Sequence, residues 1–174
     1  METDNLDIAA ALGDTETEDT EVWNMNLYDQ FTGLEGRINR LRYLLLSILF
    51  VIIGMVYALI VGLVLGVILL GMGLPEIIFT ITAGLALIPV VYVEYALTVK
   101  RLQDTGRGGG WITFSQAYAV LITLYFMAPM GSSVEGVLDI VTAIMALPLG
   151  IVCLFFRGET GPNQFGPDPL ANSP

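Results

Sequence analysis

A chain of 174 residues that is 55% hydrophobic and only 14% charged carries more apolar surface than a soluble core of this length can bury; soluble domains have about 25% charged residues. Lipid is therefore the expected solvent, and the length allows one domain at most. The formal charge of −10, with few cations, argues against nucleic-acid binding, and the absence of histidine excludes His-bound zinc, His-ligated haem and Ser-His triads.

The acidity is local. Ten of the seventeen acids precede the first cation, Arg37, so the remaining seven face the seven Lys and Arg and the body is formally neutral. Residues 1–30 read as an acidic cytoplasmic tail. The stretch to Asp19, rich in Thr, Asp and Glu and poor in large apolar residues, favours disorder. A solvated arm is the plain reading and an interaction tail the alternative. It lacks the basic start and early apolar segment of a signal peptide. Val22 to Leu34 holds Trp, Tyr and Phe, as a segment along a membrane interface would.

Four segments have the ~20 apolar residues that a spanning helix needs: about 41–70, 77–99, 112–130 and 134–156, within a membrane domain of residues 31–170 that leaves 171–174 as an end. "GMGLP" (Gly71–Pro75) and "PMGSSVEG" (Pro129–Gly136) separate them with turn residues. Connections this short predict antiparallel neighbours. The expected fold is all-α: a polytopic membrane protein with four transmembrane helices in an antiparallel bundle. Arg37, Arg40 and Arg42 precede the first span; Lys100, Arg101 and Arg107 lie between the second and third; Arg157 follows the fourth. With four crossings all seven fall on one side, and positive-inside bias puts both termini in the cytoplasm.

Gly54, Ala58, Gly62 and Gly66 recur every four residues along the first span and offer a smooth stripe for helix packing, within the bundle or between copies. Ser115, Ala119 and Thr123 repeat the pattern on the third span, and Thr142, Ala146 and Gly150 on the fourth. Pro89 and Pro148 fall inside spans, where neighbours must satisfy the freed carbonyls. The single Cys153 lies in an apolar run, so there is no disulfide framework.

Glu94, in "VVYVEYAL", is a carboxylate inside the second span. Such a group is costly and by default functional. Its plain reading is an ion pair with a border arginine, Arg37 or Arg40, or hydrogen bonds from Tyr92 or Tyr95; its functional reading is proton coupling. "VKRLQDTGRGGGW" (Val99–Trp111) joins cations to glycines, yet it follows an apolar span rather than a strand and lacks the Gly-Lys-Ser/Thr ending of a phosphate loop. Gly106 suits a left-handed helix cap.

"FTGLEGRINRLRYLL" (Phe31–Leu45), "VKRLQDTGRGGGW" and "GETGPNQFGPDPL" (Gly158–Leu170) together resemble the domain-of-unknown-function 805 family of small bacterial inner-membrane proteins. That pattern has a Gly-Arg-x-x-Arg start, a central loop with Arg-Leu-His-Asp-x-Gly and a Gly-x-x-Gly-x-Asn-x-Phe-Gly-x-Asp-Pro exit. Gln103 stands where the family has His, so no proton transfer is assigned to that position. The resemblance implies a four-helix fold in the bacterial inner membrane and no reaction.

Topology brings Arg37, Arg40, Arg101, Asp104, Arg107, Arg157 and Asp168 to one face. They form either a lattice of ion pairs and carbonyl contacts or a site for an anion, an anionic lipid head group or a protein partner, since planar arginine forks suit phosphate. Asn163 and Asp168 can close turns of the C-terminal loop with their side chains. The residues together predict a non-enzymatic accessory or scaffold protein that is lipid-embedded, can bind a protein partner or a second copy, and uses no metal, cofactor or nucleic acid. A small proton-coupled transporter or channel using Glu94 is the second reading.

Overall fold

The computed structural model describes residues 31–171. The expected acidic tail, residues 1–30, lies outside the described residues, as do 172–174. From Leu34 on, the chain is one compact unit built of four helices. Helix α1 is Arg40–Leu65, α2 Glu76–Asp104, α3 Gly110–Met127 and α4 Ser133–Phe155. All four are long and apolar enough to cross a membrane. At 1.5 Å per residue, the shortest, α3 with 18 residues, spans about 27 Å. The described residues contain no β-strand; Asn163 and Gly166 form an isolated bridge.

Each helix starts and stops for a local reason. Asn39 Oδ1 accepts the Arg42 N–H at 2.8 Å and caps α1. One π-helical turn, Gly66–Leu70, prolongs α1 before Gly73 (φ +73°) reverses the chain. Ser132 caps α4 by accepting the Glu135 N–H, while the Glu135 carboxylate reaches back to the Gly131 N–H, a variant of the reciprocal capping box. Ala128 turns extended ahead of Pro129, which ends α3 three residues before the expected 130. Pro89 and Pro148 are absorbed inside α2 and α4.

Large apolar side chains point outward along the bundle: Leu45, Leu49, Leu59, Leu63, Ile144 and Leu147 are all exposed to more than half of their maximum or close to it. In water such a surface would drive aggregation; in lipid it is solvated. Small residues let the helices approach one another. A Cβ on Gly54 would lie 3.0 Å from Val90 Cγ1, and Gly66 faces Phe79. Tyr57 donates to the Ala86 carbonyl at 2.9 Å. Gly84 lies against the backbone of Phe126 and Met127, both 3.1 Å from where its Cβ would stand. Gly62 has nothing within 4 Å of that position, and Ala58 is half-buried.

The end of the second span differs too. The second span was expected to end at 99 with Lys100 and Arg101 in the following loop, but α2 continues to Asp104 and buries both cations. The polar run stays helical because Arg101 finds carbonyls on α4 and ahead of α1, and Asp104, which pairs with Arg101 in the same turn, also receives Arg37.

Candidate functional site

The most closely packed polar region lies at one end of the bundle, where the approach to α1, the end of α2 and the segment after α4 meet. Helix α2 closes with a complete Schellman motif: the Arg107 N–H bonds the Leu102 carbonyl at 2.9 Å and the Gly106 N–H bonds that of Gln103 at 3.1 Å. Gly106, at φ +69°, supplies the left-handed residue that this cap requires. Asp104 is thereby fixed on the last turn, with its carboxylate turned inward.

Two arginines converge on that carboxylate. Arg37 Nε donates to Asp104 Oδ1 at 3.3 Å, and Arg101 donates to Asp104 Oδ2. All three side chains are almost wholly buried, at 1–3% exposure. One carboxylate between two guanidinium groups leaves a formal positive charge, which the remaining donors spread over backbone carbonyls. Arg37 reaches Gly161 O at 2.7 Å, Gly166 O at 3.3 Å and Glu159 O at 2.5 Å. Arg101 reaches Cys153 O at 2.8 Å, Phe156 O at 2.6 Å and Ile38 O at 3.5 Å. The Cys153 and Phe156 carbonyls belong to the last turn and cap of α4, where helices leave carbonyls without internal partners. Arg101 therefore acts as a cap supplied by another helix, placed where the α4 dipole favours a cation.

The C-terminal loop completes the lattice. Glu159 N–H bonds Asp104 O at 2.8 Å, and Asn163 Nδ2 bonds Gln103 O at 3.0 Å, satisfying carbonyls at the end of α2. Asn163 Oδ1 accepts the Phe165 N–H. Asp168 accepts from the Gly161 N–H at 2.7 Å and the Leu170 N–H at 2.9 Å, and these two bonds hold its carboxyl below the usual carboxylate range. Phe165 packs on Gly108, where any side chain would strike its ring, and the Arg107 guanidinium stacks 4.2 Å above Phe156.

The candidate cations thus divide into two groups. Arg37 and Arg101 are interior donors, and Arg107 lies half-buried over Phe156. Arg40 and Arg157 are exposed, and both line a cleft of about 420 Å³ together with Arg101, Asp104, Glu159 and Asp168. Leu41, 63% exposed, and Leu170 form its apolar lip. Around this end, the segments 37–42, 100–107 and 157–168 carry seven cations against three carboxylates.

Glu94 lies apart from the lattice. The pairing with Arg37 considered from the sequence is replaced by Arg37–Asp104, because α2 carries a second carboxylate ten residues on, at the level where Arg37 enters. Glu94 instead lines a second cavity of about 400 Å³ to which all four helices contribute: Tyr43 and Ser47 from α1, Ser115 and Tyr118 from α3 and Leu149 from α4. No protein donor reaches Glu94 Oε1 or Ser47 Oγ, both of which are shielded from solvent. In the sequence Ser47 is marked only by its spacing of four from Tyr43, which puts both on one helix face.

Four helices long and apolar enough to cross a membrane, closed at one end by a buried arginine–aspartate lattice, define a multi-pass membrane protein. The chain belongs to the family described as "Protein of unknown function (DUF805)", whose model matches residues 31–167. That match covers the first two motifs whole and the third as far as Pro167, stopping just short of Asp168. No curated protein and no solved structure matches the chain.

Proposed function

We propose that this chain is a non-enzymatic accessory or scaffold protein of the bacterial inner membrane. Its four helices form an antiparallel bundle with both termini cytoplasmic, and the cytoplasmic end binds anionic lipid head groups. The contact pairs Gly54–Val90, Tyr57–Ala86 and Gly66–Phe79 run in opposite senses along α1 and α2, which supports the antiparallel arrangement. The positive-inside bias supports the orientation. A reporter fused at Gly73, in the turn after α1, is expected to score as periplasmic; a cytoplasmic signal there contradicts the orientation.

The observation that carries the binding reading is the cleft with Arg40 and Arg157 on its wall and Leu41 and Leu170 at its lip. A phosphate diester meets the guanidinium groups while its acyl chains follow the leucines into the bilayer. A protein partner with an acidic, amphipathic segment would use the same residues. Each basic group near an anionic surface contributes about 1 kcal/mol, so Arg40→Ala/Arg157→Ala is expected to weaken phosphatidylglycerol binding by about 2 kcal/mol, roughly 30-fold. The check is the rise in melting temperature when phosphatidylglycerol is titrated into detergent-solubilised protein. An equal rise in wild type and double variant overturns the reading. Transport through Glu94 is the second reading, supported by the cavity at that residue.

A further inference from the structure

The cavity among the helices has a chemistry of its own. At about 400 Å³ it falls in the range of small-molecule sites. Its wall is largely aliphatic, with Val51, Val90, Ile122 and Leu149 among the contributors. Glu94 and Ser47 break that surface with oxygens that no protein donor reaches, and Tyr43, Tyr95, Tyr118 and Phe126 add aromatic rings. No Lys or Arg is among the described residues that line it. The nearest cations on α2, Lys100 and Arg101, lie six and seven residues further on, about 9–11 Å along the axis, and Arg101 is committed to Asp104 and to carbonyls of α4.

A carboxylate oxygen buried at membrane depth without a donor is costly, so its place in the cavity calls for a donor from outside the chain. A cation that also bears N–H groups satisfies Glu94 by charge and Ser47 by hydrogen bond, and aromatic faces attract the same ammonium. A bare metal ion would need several oxygen ligands, and among the described residues no cluster of three or more His, Cys, Asp or Glu exists. We infer that the cavity lined by Glu94 and Ser47 binds a small organic ammonium ion with an apolar, aryl-alkyl body, held by the Glu94 carboxylate within the aromatic and aliphatic wall. The inference goes beyond the lipid-binding reading, depends on neither Arg40 nor Arg157, and holds whether or not the ligand is moved across the membrane.

The test uses tritiated 2-phenylethylamine as probe, with the full chain in detergent and a scintillation-proximity readout. Saturable binding is expected that unlabelled amine displaces and 2-phenylethanol, the uncharged analogue, displaces far less well. Glu94→Gln should weaken it about 10- to 100-fold, as expected for loss of a charged hydrogen-bond partner. Ala146→Leu, which adds bulk to the α4 wall of the cavity and leaves Glu94 in place, should also reduce binding. Absence of saturable binding to wild type, equal competition by the alcohol, or undiminished affinity in a folded Glu94→Gln protein would each overturn the inference. The alcohol comparison needs only wild type, so it decides even where a variant fails to fold.

Discussion

Asp104→Ala is expected to destabilise the bundle by about 3–5 kcal/mol, the cost of removing one partner from a buried ion pair and leaving the other charge uncompensated. Here two charges are left, because Arg37 and Arg101 both sit on Asp104 at 1% exposure. Domains have only about 5–15 kcal/mol to lose, so the variant should accumulate poorly and melt far below wild type. The side chain also sets the position of both arginines, which in turn hold Cys153 O, Phe156 O, Glu159 O and Gly161 O. Its loss therefore loosens the end of α4 and the C-terminal loop together. Asp104→Asn keeps the shape and an acceptor oxygen but leaves the charge uncompensated, and should fall between. The measurement is a melting curve on detergent-purified protein beside fluorescence-detected size exclusion. A wild-type melt for Asp104→Ala would show that the lattice is incidental to stability.

Gly158→Ala should give the second-largest loss, about 1–3 kcal/mol, by overpacking. A methyl there runs into the Asp104 carboxylate, with Cγ at 2.7 Å and Oδ1 at 2.9 Å from the new carbon and Oδ2 closer still. The carboxylate has nowhere to turn, since one arginine holds each oxygen. Residues in direct contact couple, so the two effects should not add. In an Asp104→Ala background that still folds, Gly158→Ala should cost little, because its collision partner is gone. Equal losses in both backgrounds, read from melting curves of the four proteins, would place the strain elsewhere.

The helices were legible because runs of about 20 apolar residues admit few other readings in so uncharged a chain. Their ends were less so. Lys100 to Asp104 reads as a loop by polarity, and only the carbonyls of α4, some fifty residues away in sequence, make a helical and buried Arg101 favourable. The capping glycine was readable at Gly106, as were the turn-closing side chains of Asn163 and Asp168, since both rest on local rules. The gathering of the charged motifs at one end followed from counting crossings. Which arginine would be interior and which would rim a cleft did not, because Arg37 meets Asp104 across 67 residues and nothing local marks the pair. Glu94 stands out in the sequence as a carboxylate inside the second span. Its neighbours Ser47 and Tyr118 were hidden, because the rotation of each helix about its axis is set by packing rather than by pattern.

In the proposed function Arg40 and Arg157 form a lipid-binding cleft while Arg37 and Arg101 hold the fold. Native mass spectrometry of the protein extracted gently with its own lipids tests it most directly, with wild type measured beside Arg40→Ala/Arg157→Ala. Retained anionic lipid on wild type, lost from a double variant that keeps its melting temperature, is the predicted result. The same lipid occupancy on both proteins, or bare protein in both, would contradict it.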